Sequence, residues 1–441
     1  MSDSLNIPVT SPALLPRFGA FLRQRAIPLL YTSSSVATSA AQLVAGFLVI
    51  RWVTPDEMGL WQTVRLAQIY SFILLIGINN GLGRELPFSL GKGEQDFADR
   101  LAATAFFCAT LANVVVLIAG IVCAFVFSGH GAPLVWAILS VTVLIMLAFY
   151  QQIFICTFRS KDSFKKLTLI QLVEAGLSLA TIPVVYYYGY TGMLGRTVLI
   201  TMIVVALLFY YRPMRVKMRM DWEALKLLLK TGLPIFGLDY VKNSCSTLDR
   251  VVLLDMGGFK DVGVYSLARV ALQTLQVLPS SLGAYMYPRM TYNFGQNSNA
   301  RALWRFGIKF VFLAVAAAGL AATCAWLILP HFVPVFVPKY LGGLQATQIV
   351  LIAGVVEGAT IIVNALWSMK AWRLMVAYQL VSSALFALGP ILGVLFIGKS
   401  LEAVAWGTVI GAVCRSMLAL GLAYYGTHRA KSPEPSTLQP A

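Results

Sequence analysis

Five basic side chains, Arg65, Lys242, Arg250, Arg269 and Arg415, fall inside long apolar runs, and the acids Glu174, Asp239, Asp249, Asp255 and Glu357 share those runs. A charge at the centre of a hydrocarbon layer costs about 2.5–3.5 kcal/mol, so such residues face a partner or a water-filled cavity. Asp249 and Asp239 have local partners in Arg250 and Lys242, and Asp255 lies near the end of its run. Arg65, Arg269 and Arg415 are then left without a neighbour in sequence. This surplus predicts a cationic lumen for an anionic ligand, built from Arg65, Lys242, Arg250, Arg269 and Arg415. Guanidinium groups suit phosphate-type anions because they bind them bidentately. Glu174, Asp239, Asp249 and Glu357 are the candidates for ion coupling, since a carboxyl in low dielectric can load and release a proton. A proton or sodium gradient is the expected energy source, with no organic cofactor and no metal site. No GxxxxGK[ST] element is present, which argues against direct ATP hydrolysis.

The elements that carry these residues are helices in a membrane. Of 441 residues, 58% are hydrophobic and only 12% charged, against roughly 25% charged in soluble domains. A helix needs roughly 20 apolar residues to cross a bilayer. Apolar runs between polar breaks predict an all-α polytopic protein with twelve transmembrane helices, at 28–50, 61–83, 101–127, 133–157, 167–188, 194–211, 231–254, 263–287, 307–329, 344–369, 374–397 and 402–425. No stretch is polar enough to house a soluble catalytic domain, and continuous rather than alternating runs exclude an outer-membrane barrel. At 100° per residue, Asp239, Lys242, Asn243, Ser246, Asp249 and Arg250 share one face of the seventh helix. Arg269, Gln273, Gln276 and Ser280 share a face of the eighth. Polar stripes also mark helix one (Ser35, Ser39, Gln42, Gly46), helix five (Gln171, Glu174, Ser178, Thr181) and helix ten (Glu357, Thr360, Asn364, Ser368). Together they predict one shared cavity, although such stripes also serve as glue between helices.

The net charge of +16 is explained by topology rather than nucleic acid. With the N-terminus cytoplasmic, 24 Lys and Arg fall on the cytoplasmic side and five (Arg51, Arg196, Lys260, Lys339, Lys399) on the other, which places both termini in the cytoplasm. The basic side then contacts anionic lipid. Residues 1–26 read as a leader with an amphipathic interfacial segment at 10–26, and no signal peptide is read there. The helices divide into bundles at 27–211 and 231–425, joined by a basic linker at 212–230 and followed by a disordered cytoplasmic tail at 426–441. Six cysteines, without CxxC spacing, read as small core residues.

An internal repeat supports the division. Val53-Thr54-Pro55-Asp56-Glu57-Met58-Gly59-Leu60-Trp61-Gln62-Thr63-Val64-Arg65 and Gly257-Gly258-Phe259-Lys260-Asp261-Val262-Gly263-Val264-Tyr265-Ser266-Leu267-Ala268-Arg269 both place an acid two positions before Gly, an aromatic two after it and Arg six after it. Both follow the first helix of a bundle, so the halves are parallel repeats related by an axis along the membrane normal. With its Pro-Asp-Glu-x-Gly-Leu-Trp loop, and a seventh helix opening Gly232-Leu233-Pro234 and carrying Asp249-Arg250, the chain resembles the polysaccharide flippase branch of the multidrug/oligosaccharidyl-lipid/polysaccharide exporter superfamily. O-antigen flippases belong to that branch. The resemblance implies a V-shaped pair of six-helix bundles that moves undecaprenyl-pyrophosphate-linked oligosaccharide across the bacterial inner membrane by alternating access. It also implies a monomer working beside polysaccharide polymerase machinery, in an O-antigen, capsule or exopolysaccharide setting. Arg65 and Arg269, one per half, are then expected to engage the pyrophosphate symmetrically.

Two other classes compete. A multidrug/toxin extruder of the same superfamily would favour a lumen with unpaired carboxylates. A membrane polymerase, ligase or acyltransferase needs a large loop or an intramembrane histidine, whereas His130, His331 and His428 are expected in short loops or the tail. Pure scaffolding would not require buried charge.

Overall fold

The computed structural model describes residues 34, 37–42, 44–297 and 299–429. The leader, Ser35 and the tail beyond residue 429 lie outside them. Fifteen helices organise the described residues: α1 (Ala37–Ile50), α2 (Pro55–Ser71), α3 (Ile78–Gly91), α4 (Gln95–Val126), α5 (Ala132–Ser160), α6 (Phe164–Ala180), α7 (Ile182–Tyr210), α8 (Trp222–Cys245), α9 (Leu248–Val264), α10 (Ser266–Asn297), α11 (Ala300–Phe336), α12 (Leu344–Glu357), α13 (Asn364–Ser368), α14 (Trp372–Ile397) and α15 (Leu401–Arg429). No strand occurs among them. Seven spans are individually long and apolar enough to cross a bilayer, and the α2–α3 pair, bent by 55°, makes an eighth. The other crossings are shorter, broken or polar on one side, as lumen-lining helices must be. Lipid-facing side chains such as Phe125 and Phe396 stay exposed, which accords with a protein whose solvent is hydrocarbon.

Local chemistry sets the breaks. Thr54 and Glu57 form a capping box that starts α2, with Pro55 in its first turn. Gly77, in the left-handed region at φ 78°, starts α3 after the bend. Gly189 (φ 55°, ψ −129°) breaks α7, so the expected fifth and sixth crossings meet at that glycine. Gly257 and Gly258 break α9 in the same way. Asp221 caps α8 by accepting from the Glu223 and Ala224 N–H groups.

Three boundaries differ from expectation. Residues 222–230 of the predicted linker are already helix, because the Asp221 cap nucleates α8 before the apolar run begins. α15 continues to Arg429, so residues 426–429 are helical rather than disordered, and His428 stacks on Tyr424 one turn earlier. His331 likewise lies within α11. None of the six cysteines is in the buried core and Cys123, Cys324 and Cys414 are exposed, because an apolar run in a bilayer has a lipid-facing side as well as a packed one.

α1 to α7 pack as one lobe and α9 to α15 as a second. α8 bridges them, packing on α3 and α4 of the first lobe more than on α14 of the second. The lobes meet most closely at the end away from the basic loops, termed here the far end. A Cβ on Gly59 would lie 1.6 Å from the Phe259 carbonyl oxygen, and one on Gly263 would lie 1.6 Å from the Pro55 oxygen. The two glycines of the internal repeat are therefore where the lobes cross backbone to backbone. Nearby, the fully buried Tyr340 hydroxyl donates to the Val53 carbonyl at 3.2 Å, and Phe47 meets Phe332 at 5.3 Å between ring centroids. A second seam runs toward the basic end, where Gly77 and Gly81 press on Gly232 and Leu228. Polar ties join it: Thr231 donates to Glu85 at 2.8 Å, Asn80 to Asp239 at 3.1 Å and Arg100 to Asp221 at 3.1 Å.

Candidate functional site

Two cavities lie below the far-end seal. The first, of about 600 Å³, belongs mainly to the first lobe and is walled by α1, α2, α6 and α7. Arg65 enters it from α2, hydrogen-bonds Gln68 at 3.3 Å and lies 6.0 Å from the Trp61 ring centroid. Glu174 on α6 accepts from Gln42 on α1 at 2.8 Å. Gln62, Gln151, Thr197 and Thr201 add amides and hydroxyls to the wall. Arg196 on α7 completes it, donating to the Thr181 hydroxyl at 2.8 Å and to the Ser178 carbonyl.

The second cavity, of about 760 Å³, lies in the second lobe between α8, α10, α12–α13, α14 and α15. Lys242, Gln276, Glu357, Asn364 and Arg415 line it. Arg415 pairs with Glu357, which also accepts from Gln276. The Arg415 guanidinium rests over the Phe386 ring at 4.1 Å. Arg269 and Gln273 line both cavities, so the two meet at α10. Arg269 donates to Asp249 at 3.0 Å.

The structure brings most of the predicted residues together, but pairs them differently. Asp249 binds Arg269 rather than the Arg250 side chain, while its other oxygen accepts the Arg250 backbone N–H at 2.9 Å. Asp239 accepts from Asn80 instead of pairing with Lys242 and lines neither cavity. The physical reason is competition from other helices, since Asn80 of α3 reaches Asp239 and Arg269 of α10 reaches Asp249. An interruption between Cys245 and Leu248 also divides the seventh crossing into α8 and α9. A wheel drawn over one unbroken helix puts Asp239, Lys242, Asp249 and Arg250 on one face; the break sends Lys242 to the second cavity and Arg250 to the first. Arg415 is not unpartnered, because Glu357 reaches it from another helix. Arg65 and Arg269 are not equivalent either: Arg269 carries an acid and Arg65 does not.

Arg65, Arg196, Lys242 and Arg250 therefore hold the unneutralised charge. None of the four forms an ion pair among the described residues, and Arg250 Nε is buried without a hydrogen-bond partner. Among the stripe residues, Gln42, Gly46, Glu174, Ser178, Thr360 and Asn364 face the cavities. Ser368 instead bonds the Asn364 carbonyl, and Gln171 takes hydrogen bonds from Ser34 and Thr38. The sequence reading missed Arg196, assigning it to the far-side loops. The available signal was its position seven residues past the turn glycine Gly189, close to the six that separate Arg65 and Arg269 from theirs. No set of three His, Cys, Asp or Glu among the described residues is placed to hold a metal ion.

A family model described as "Polysaccharide biosynthesis protein" matches residues 48–333, which carry α2 to α10 and most of α11. The chain belongs to the polysaccharide biosynthesis protein family. No curated protein matches it. Among solved structures, it is similar to an inward-facing multidrug resistance MATE family transporter of the MOP superfamily, with TM-score 0.69 at 15% identity over 90% of this chain and 94% of that one. An outward-facing structure of such a transporter matches with TM-score 0.64 at 15% identity over 91% and 95%. A MATE in the straight conformation matches with TM-score 0.60 at 17% identity over 91% and 96%. The polysaccharide family member thus has the two-lobed fold of these transporters, and its Arg65, Arg250 and Arg269 gather where the lobes' cavities join.

Proposed function

We propose that this family member is a flippase for a polyprenyl-diphosphate-linked oligosaccharide, the repeat unit of an O-antigen, capsule or exopolysaccharide, working in a bacterial inner membrane. The observation that carries the reading is the uncompensated charge at the junction. Lys242, Arg65, Arg196, Arg250, Arg269 and Arg415 line the two cavities against only Glu174 and Glu357, with Asp249 behind Arg269. A diphosphate supplies the missing negative charge, and guanidinium groups bind it through paired N–H bonds. The amides and hydroxyls around Arg65 suit the sugar that follows the diphosphate.

In this reading the basic end faces the cytoplasm. The far-end seal formed by Gly59, Gly263 and Tyr340 then closes the outer side, and the head group enters from within. Rocking of the lobes about their crossing closes the basic end and opens the far end, while the polyprenyl chain stays in lipid. The carrier works as a monomer, since one chain supplies both walls of the path, and it hands its cargo to polymerase machinery outside. A proton or sodium gradient drives the cycle, with Glu174 and Glu357 as the carboxyls placed in the cavities.

The experiment is translocation by the purified chain in proteoliposomes, comparing a lipid-diphosphate oligosaccharide with a cationic dye. Movement of the glycan with no dye efflux supports the reading. Dye efflux without glycan movement reassigns the chain to drug extrusion.

A further inference from the structure

Glu357 sits where an anion is least comfortable. It is the last residue of α12, after which the chain tightens into a 3-10 turn over Gly358–Val363. The backbone stays helical through this turn, where the Gly358 N–H bonds the Val355 and Val356 carbonyls, so the Glu357 carboxylate lies part-way along one continuous buried span. The residue is only 6% exposed. Two side chains from other helices offset this, Arg415 from α15 and Gln276 from α10, each hydrogen-bonded to one carboxylate oxygen. Both partners line the 760 Å³ cavity, so an anion entering it meets the guanidinium that Glu357 holds.

We propose that Glu357 is an internal counter-ion which an anionic ligand displaces from Arg415, and that the released carboxyl takes up one proton from cavity water as the ligand binds. The proposal rests on the anion-carrier reading above and deepens it by fixing how protons couple to the cargo. The exchange balances: phosphate oxygens accept the N–H bonds that Glu357 gives up, and one Glu357 oxygen gains a proton drawn from solution. The bound state then carries one negative charge fewer than the ligand brings. A buried carboxyl stripped of its counter-charge is far cheaper neutral than ionised. Gln276 serves both states, since its amide donates to the carboxylate and, turned over, accepts from the acid. The other groups facing Glu357 do not compete for the proton. Tyr378 approaches from α14 and is close enough to feel both members of the pair, Lys242 and Arg269 line the cavity from α8 and α10, and α11 presents Ala314 and Val315 beside Gly358.

The test is calorimetric binding of farnesyl diphosphate to the detergent-solubilised full chain at pH 8, in two buffers of different ionisation enthalpy. The wild type is expected to take up close to one proton per molecule bound, and Glu357→Gln to take up none while binding at least about tenfold tighter, because no carboxylate competes. Unchanged affinity or persistent proton uptake in a folded Glu357→Gln protein overturns the proposal. The wild type gives an independent check between pH 7.5 and 9, where the probe is fully ionised. Its affinity is expected to fall by up to about tenfold per pH unit, and a flat profile overturns the exchange. Failure of the wild type to bind the probe at all is a different result, which overturns the anion-carrier reading itself and the exchange with it.

Discussion

Gly59→Ala places a methyl group where the lobes touch, and its consequence can be worked from distances. The new Cβ would lie 1.6 Å from the Phe259 carbonyl oxygen, 2.6 Å from its carbon and 2.9 Å from the Gly263 nitrogen. All three obstacles are backbone, so no side chain can swing away. Reaching an ordinary contact of about 3.4 Å requires α2 and α9 to part by roughly 1.8 Å, which also strains the Tyr340–Val53 hydrogen bond. Overpacking of this kind costs typically about 1–3 kcal/mol. Only the state with the far end sealed bears it, so the equilibrium moves toward far-end opening by roughly five- to 150-fold. Val53 is fully buried within the seal. A single cysteine there, in a chain whose six native cysteines are replaced, reports opening through its reaction with a membrane-impermeant maleimide. Labelling is expected to accelerate by that factor with Gly59→Ala, and also with Gly263→Ala, whose Cβ would lie 1.6 Å from the Pro55 oxygen. Gly46→Ala, with nothing within 4 Å of its Cβ, is the control and should leave the rate alone. Unchanged labelling in folded Gly59→Ala protein, or an equal rise with Gly46→Ala, would refute the reasoning.

Three further outcomes are expected. Arg65→Ala should cut glycan translocation at least about tenfold at normal protein levels, with Arg65→Lys recovering part of it, since a single ammonium keeps the charge but loses the bidentate fork; initial flipping rates check this. Gly189→Ala should destabilise the protein by about 1–3 kcal/mol through backbone conformation alone, because φ is 55° there and nothing crowds the Cβ; chemical denaturation in detergent measures it, and Gly129→Ala, equally uncrowded but without a positive φ, should cost far less. The Ala224 N–H first, and then Arg100, hold the Asp221 carboxyl below the usual carboxylate range. Its stabilising effect should thus be complete above about pH 4 and be lost as pH falls through its depressed folded value, so the melting-temperature gap between wild type and Asp221→Ala should be full at about pH 7 and shrink steadily on acidification below about pH 4.

How far the sequence reaches depends on what each feature needs. Seven crossings, or eight with the bent α2–α3 pair, follow from apolar length alone, and the repeat around Gly59 and Gly263 marks the far-end crossing of the lobes because close backbone approach leaves room for nothing but glycine. The lumen side of α10 is equally plain, since Arg269, Gln273, Gln276 and Ser280 sit on one unbroken helix. Partners are another matter. Asp249 is adjacent to Arg250 in sequence yet serves Arg269, twenty residues on, and Glu357 meets Arg415 from 58 residues away. Such pairings depend on how helices cross. Arg196 was misplaced for a related reason: hydropathy puts it beside the turn, whereas the Gly189 break lets the next helix carry it inward.

The most direct test of the central claim compares two cargoes that differ only in their linkage, the same oligosaccharide on a polyprenyl diphosphate and on an uncharged polyprenyl ether, in proteoliposomes of wild type and of Arg65→Ala/Arg250→Ala. The account predicts that the wild type flips the diphosphate-linked glycan at least about tenfold faster than the ether-linked one, and that the double variant loses this preference. Equal rates for both cargoes in the wild type, or a preference that survives removal of both arginines, would contradict it.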